Sequence, residues 1–240
     1  MRDLFKANEI NTLSELDHTV FYGPTFSFYK SALHERIFTE WKVFWESHFQ
    51  ETKSSAQLFS DELLRTTYVL VLHKKELPIG ILFSSIWNLW NPVHQHSRYL
   101  SNYPAEVKSE FQALRYNSVL SLEYLTIRPD WRYSKCALPL SEVLLGLGLK
   151  MFHQNENVDA AISIARRAVK VQDRMAGWGM REVHHMTLHN NPCTITTCNR
   201  LEYKKDNADL RINCLTNYFL EKQKRVGFSD LQEGFGLKAA

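Results

Sequence analysis

The order of apolar and polar positions divides the chain into strand-sized and helix-sized segments. Val119 to Ile127 is rich in β-branched residues, Leu and Tyr, the composition of a strand, and Arg128-Pro129-Asp130 ends it. After Pro139, the residues Leu140, Leu144, Leu147 and Met151 recur at helical spacing and predict a helix with a buried face. Proline suits the first helical position because its missing N–H has no partner there in any case. Leu138 stands where a capping Ser, Thr, Asp or Asn is expected, so the first amides of this helix are left for an external anion such as a phosphate. Asp159 to Ala165 reads as a short strand, and Ala168 to Trp178 as a helix with Val171, Met175 and Trp178 on one face.

Upstream, Leu33, Ile37, Trp41, Phe44 and Phe49 share one face of a helix expected from about Lys30 to Phe49. Ser60 to Arg65 predicts one helical turn. Thr66 to His73 and Leu77 to Trp87 form a hairpin about Lys74-Lys75-Glu76, and Gly80 marks a bulge or a close backbone approach. Asn88 to Asn117 is a long connection with a helix at Ala105 to Leu114. Arg181 to Leu188 and Thr194 to Cys198 read as strands joined by the turn His189-Asn190-Asn191-Pro192. Phe21-Tyr22-Gly23-Pro24 is read as a turn, with no element assigned before it. A helix from Cys214 to Lys224 and a Gly-rich tail close the chain, and no internal repeat is visible.

Composition narrows the class. At 240 residues, with 44% hydrophobic and 23% charged content, the chain is expected to form one elaborated domain with a substantial core. A formal charge of +3 without a long basic run gives no reason to expect nucleic acid as a partner. Cys136, Cys193, Cys198 and Cys214 lack the spacing of a zinc framework and are read as reduced thiols. The apolar runs are strand-sized, too short to cross a bilayer, and the N-terminus is acidic where a signal peptide would be apolar. The expectation is a soluble, cytoplasmic protein with no metal.

The order strand, loop, helix, strand, helix from Ser118 to Glu182 resembles the GNAT acyltransferase superfamily, over roughly Thr67 to Glu182. Leu125-Thr126-Ile127-Arg128-Pro129-Asp130-Trp131-Arg132 is similar to the family's strand end and the arginine that opens its pyrophosphate loop, and Met175-Ala176-Gly177-Trp178-Gly179-Met180 to its Gly-aromatic helix end. The resemblance implies an α/β (α+β) fold, a mixed, mostly antiparallel central sheet flanked by helices. It implies a single domain over residues 1–240, with a core at about 30–200, an insertion at about 88–117 between strands 3 and 4, and a C-terminal extension at about 203–240. An insertion of that length is closest to the homoserine-lactone synthases and N-acyl amino acid synthases that share this core; it reads either as a lid over an apolar tunnel or as a surface decoration. Two departures stand out. Tyr133-Ser134-Lys135-Cys136-Ala137-Leu138 carries no glycine where the family loop normally does, and the family's helix tyrosine is absent.

The resemblance also implies the chemistry: an acyl group moves from acyl-CoA, or from the phosphopantetheine of an acyl-carrier protein, to the amino group of a small acceptor such as an amino acid. Glu123 is the first choice for general base, against the plainer reading of a salt-bridged rim residue, and strand alternation is expected to place it on one face with Leu125 and Ile127 beside the donor. Arg132, Ser134 and Lys135 are the candidate phosphate contacts. A glycine-free loop suits a carrier-protein donor, whose arm has a single phosphate, and equally suits a domain that has lost catalysis and only binds. Cys136 is read as a small buried residue rather than a nucleophile, His184 and His185 as structural, with one or the other as an acid or base at the cleft as the alternative, and Arg166-Arg167 as a salt-bridged pair or a dock for a carboxylate or an acidic carrier helix.

Overall fold

The structure is a computed structural model that describes residues 4–26 and 31–227. Among these, one sheet holds the strands β1 (Asp17–Tyr22), β2 (Tyr68–Lys74), β3 (Leu77–Asn88), β4 (Ser118–Ile127), β5 (Ala160–Arg166), β6 (Arg181–Leu188), β7 (Asn191–Asn199) and β8 (Lys224–Val226). Their order is β6-β7-β5-β4-β3-β2-β1-β8. The β4–β5 and β1–β8 pairs are parallel and the others antiparallel, so the sheet is mixed and mostly antiparallel. The helices are α1 (Ala7–Ser14), α2 (Gly23–Phe26), α3 (Ala32–Glu51), α4 (Asp61–Leu64), α5 (Pro92–Gln95), α6 (Arg98–Ser101), α7 (Ala105–Ala113), α8 (Tyr133–Cys136), α9 (Leu140–Gln154), α10 (Val171–Ala176) and α11 (Leu210–Glu221).

Each face of the sheet buries a different set of helices. On the first face, α9 lies against Leu82 and Leu122 and is itself covered by α11, so most of its circumference is buried. Close approach sets its sequence: a Cβ at Gly148 would lie 2.8 Å from the Leu122 side chain, and one at Gly146 2.3 Å from Trp178. On the second face, Ile37 and Trp41 of α3 pack on Val69, Val71, Ile81 and Phe83. Ser31 caps α3 by accepting a hydrogen bond from the His34 amide. Beside α3 on this face, the segment 88–117 packs Leu100, Tyr103, Val107 and Phe111 onto Val119, Ile162 and Ile195. It is a wall with its own buried core, not a surface ornament.

Three expectations change. Phe21 and Tyr22 are strand, pairing with Val69 and Tyr68, so the turn begins only at Gly23. The sheet extends past the expected core on both sides, because β1 precedes residue 30 and β8 follows residue 200. The last helix runs from Leu210 to Glu221, four residues earlier than its pattern suggested, with Asp209 accepting from the amides of Arg211 and Ile212. Gly80 does mark a close approach: a Cβ there would lie 2.7 Å from Leu144 and 2.8 Å from Ile127. The expected helix start at Lys30 and the Gly-rich tail lie outside the described residues.

Two buried histidines tie β1 into the core. The His18 ring donates through Nδ1 to the Phe219 carbonyl at 3.1 Å, and His73 donates through Nδ1 to the Lys75 carbonyl at 2.6 Å while its Nε2 meets the Thr19 hydroxyl at 2.9 Å. Burial pushes His18 down to about 4 and also lowers His73. Folded chains therefore bind fewer protons than unfolded ones below the ordinary histidine value. Stability falls as pH drops from about 6.5 toward 4, by about 3 kcal/mol from His18 alone. The variant H18N keeps a donor toward Phe219 and cannot titrate. Its melting temperature should fall less between pH 7 and pH 4.5 than that of the wild type; an equal fall in both proteins removes His18 from the acid sensitivity.

Candidate active site

One irregularity in β4 organises the site. The β3–β4 register shifts between Ile81 and Phe83, and Tyr124 takes φ +52 in the left-handed region. A bulge of this kind puts two consecutive residues on one face. Glu123 and Tyr124 both turn toward α3, and every later residue is displaced by one. The expectation that Glu123, Leu125 and Ile127 share a face is therefore corrected: Leu125 and Ile127 pack into the α9 core, while Thr126 joins Glu123 on the α3 face and accepts from Trp45 Nε1 at 3.0 Å. The left-handed conformation costs roughly 1–2 kcal/mol for a residue with a Cβ. Packing offsets it, because the Tyr124 ring lies edge-on to Trp41 (5.5 Å), Trp45 (5.2 Å) and Phe83 (5.7 Å).

The parallel ladder between β4 and β5 stops where the bulge begins. Val119 to Leu122 pair with Ala160 to Ser163, and beyond that point the two strands run on to Ile127 and Arg166 without pairing to each other. The gap frees the facing backbone groups of both strands and opens onto the α3 face. There Leu122, Glu123 and Tyr124 of β4 and Ile164 and Arg166 of β5 floor a cavity of about 110 Å³. Trp45, His48 and Phe49 of α3 form one wall, and His189, Asn191 and Cys193 at the β6–β7 hairpin another. A second cavity of about 290 Å³ adjoins it, lined among others by Phe59, Glu62, Arg65 and Arg98; both share Phe49, Tyr99, Asn102, Tyr124 and His189.

Glu123 belongs to a buried charge cluster. Arg65 Nη2 lies 2.7 Å from Glu123 Oε2 and Arg65 Nε 2.8 Å from Glu62 Oε2, while the Ser121 hydroxyl donates to Glu123 Oε1. The guanidinium sits 5.1 Å from the Trp87 ring centroid and 5.7 Å from that of Tyr99. Burial alone would lower the arginine's pKa, but the charges and hydrogen bonds of Glu123 and Glu62 outweigh it and raise it. Glu123 thus lines the cavity with both oxygens engaged. The hydroxyls of Tyr99 and Tyr103 are 2.9 Å apart, and burial raises the pKa of both, as it does for Tyr124.

On the expected donor side, Arg132, Ser134 and Lys135 are exposed on α8 or at its start, outside both cavities. The loop is not an open cradle. The amides of Lys135 and Cys136 donate to the Arg132 carbonyl, and that of Ala137 to Tyr133, with Ala137 at φ +57. The α9 terminus beyond it has Pro139 at the cap and no capping side chain. Cys136 donates its thiol to the Trp131 carbonyl at 3.1 Å, and burial raises its pKa, consistent with a packing role.

The remaining candidates separate cleanly. His184 and His185 lie on the edge strand β6, 3.8 Å from Glu106 and 3.6 Å from Glu182, and neither lines either of these two cavities. Among the described residues, no group of three His, Cys, Asp or Glu side chains is arranged to hold a metal ion. Arg166 does reach the cavity, and among the described residues neither it nor Arg167 forms a salt bridge; Arg166 Nε is buried without a hydrogen-bond partner there, and Arg167 meets His185 Nδ1 at 2.9 Å. Glu62, Arg65, Tyr99, Asn102, His48 and His189 are site residues that the sequence pattern did not single out. Only Glu62 and Arg65 left a signal, their i, i+3 spacing in a polar turn.

No protein-family model matches the chain, and no curated protein matches it significantly. Solved structures do. The N-acyl amino acid synthase FeeM from uncultured soil microbes superposes with a TM-score of 0.53 at 10% identity, over 78% of this chain and 91% of that one. BjaI, a CoA-dependent acyl-homoserine lactone synthase solved with SAM and isopentyl-CoA, gives 0.53 at 11% identity over 88% and 93%. An acyl-CoA N-acyltransferase from Pseudomonas aeruginosa gives 0.50 at 11% identity over 75% and 98%. The chain therefore has the fold of the GNAT N-acyltransferases. None of the helices described is long and apolar enough to cross a membrane.

Breaking the charge cluster tests its place in the fold. R65M leaves Glu62 and Glu123 buried without their shared cation and should destabilise the protein by about 3–5 kcal/mol, read by urea denaturation. A loss below about 1 kcal/mol would show that the three charges are solvated rather than buried.

Proposed function

We propose that the protein is an N-acyltransferase that moves an acyl group from a thioester donor to the amino group of a small acceptor. The observation that carries this reading is the parting of β4 and β5 beyond Leu122, directly over a cavity with polar and aromatic walls. A pantetheine arm needs an extended slot with free backbone groups, and the gap has that shape. The structures with the same fold are described as acyltransferases that use acyl-CoA or make N-acyl amino acids and acyl-homoserine lactones. The donor is acyl-CoA or an acyl-carrier protein, its arm following the gap beside the β4 backbone, with Arg132, Ser134, Lys135 and the uncapped α9 terminus meeting its phosphate.

An amino acid is the acceptor that best matches the charges. Arg166 presents to the cavity a guanidinium with no salt bridge among the described residues, a partner for a carboxylate, and Glu123 supplies the opposite charge from β4. Glu123 polarises the acceptor's end of the site through its pair with Arg65. A second reading, a domain that binds without catalysing, draws on α8, whose amides bond internally and leave little to cradle a diphosphate.

The test separates the two. Acyl-CoA or acyl-carrier protein should raise the melting temperature, and one of them should release free thiol in the presence of amino acids. Binding without thiol release favours the second reading, and neither effect removes the first. In the active protein, replacing Arg132 and Lys135 together by Ala should raise KM for the donor about tenfold with kcat little changed. R166M should raise KM about tenfold to a hundredfold for amino acids, while leaving amines without a carboxylate unaffected. An equal effect on both acceptors argues against a carboxylate contact.

A further inference from the structure

Acyl transfer to an acceptor that arrives as an ammonium ion requires a group to take its proton, and the geometry leaves few candidates. Glu123 has both oxygens tied to Arg65 and Ser121. Tyr99 and Tyr103 bond each other, and Tyr124 is packed among Trp41, Trp45 and Phe83. Two imidazoles remain on the cavity wall, His48 from α3 and His189 from the tip of the β6–β7 hairpin.

His189 is the better placed. It lines both cavities, at their junction, whereas His48 lines one and stands next to the Arg166 charge, which opposes its protonation. The hairpin tip is held firmly: Asn190 Nδ2 donates to the Lys53 carbonyl at 2.9 Å and to the Thr52 carbonyl at 3.3 Å, which docks the turn on the end of α3. Asn191 Nδ2 donates to the His189 carbonyl at 2.7 Å, and the His189 ring lies 5.2 Å from that of Phe49. Two-residue turns with positive φ at both positions ordinarily favour Asn-Gly; here they are His189 (φ +52) and Asn190 (φ +60). The imidazole makes no hydrogen bond among the described residues. The residue is also open to solvent, so a proton taken inside has a path to water.

We propose that His189 is the general base that removes the proton from the acceptor's ammonium group, a role that rests on the acyl-transfer reading above. The freed nitrogen attacks the thioester carbonyl carbon, forming the C–N bond as the carbonyl electron pair moves to oxygen. Collapse of that adduct breaks the C–S bond. The thiolate leaves and takes up the second proton lost by the nitrogen, and the first passes from His189 to water, so each turnover releases one thiol and one proton. The charged and titratable groups around His189 are His48 from α3, Glu62 and Arg65 at α4, Arg98 and Tyr99 from α6, Glu123 and Tyr124 from β4, and Arg166 with Cys193 from β5 and β7. Burial holds the imidazole below its ordinary value, so the ring is in its neutral, accepting form at pH 7.

The experiment uses the full chain, the donor active in the thiol assay, and two acceptors. One is an α-amino acid, an ammonium at pH 7; the other is O-methylhydroxylamine, already neutral there and in no need of a base. With the amino acid, the wild-type rate should rise with pH through an imidazole step below about 6.5 and then level off. H189Q should lose about a hundredfold in kcat with the amino acid and lose that step, while keeping the donor's thermal shift and its rate with O-methylhydroxylamine. H48Q should keep the step. An H189Q protein that retains the step, or that loses both acceptors equally, overturns the assignment while leaving acyl transfer standing. If the wild type releases no thiol with any donor, the acyl-transfer reading itself fails, and the role of His189 with it.

Discussion

The change of face at Tyr124 is the constraint on which the site depends. A regular strand would have continued its ladder with β5 and kept Glu123, Leu125 and Ile127 on one side. The bulge instead sends Leu125 and Ile127 into the α9 core and leaves Glu123 and Tyr124 over the cavity. Aromatic contacts on α3 and β3 hold this conformation in place. The geometry that separates β4 from β5 is therefore written partly in a helix some eighty residues earlier in the chain.

Charge is distributed in keeping with that geometry. One arginine, Arg65, sits between two buried carboxylates and under two aromatic rings, and no water-exposed pair could be so dependent on its partner. Another, Arg166, reaches the same space with no salt bridge among the described residues. The cavity thus has a saturated end and an unsaturated one, and polarity of that kind orients a small zwitterion in one direction only.

Much of the fold was legible in the sequence because its signals are local. Periodicity located β2, β3, β4, β5, β6 and α9 to within a few residues, and the connection after Trp87 announced itself by length. What was missed depends on distant partners. β1 is a strand only because β2 receives it, and β8 only because β1 does. The bulge leaves no mark at Tyr124, a residue that strands ordinarily favour, so the alternation rule misplaced Leu125 and Ile127. Of the site, the loop residues Arg132, Ser134 and Lys135 were found by likeness to a family. The cavity walls were not, because Arg65, Tyr99, His48 and His189 come from four separate segments with no shared motif.

The segment 88–117 has a consequence of another kind. It carries a hydrophobic core that closes on itself and on the sheet, yet of its residues only Tyr99, Asn102 and the rim residue Arg98 reach the two cavities. Tyr99 is tied to that packing by Trp87 and Tyr103, but selection can exchange Arg98 and Asn102 without disturbing either the parted strands or the core that anchors the segment. In such an architecture, the choice of what enters is free to drift among descendants while the means of reacting stays fixed.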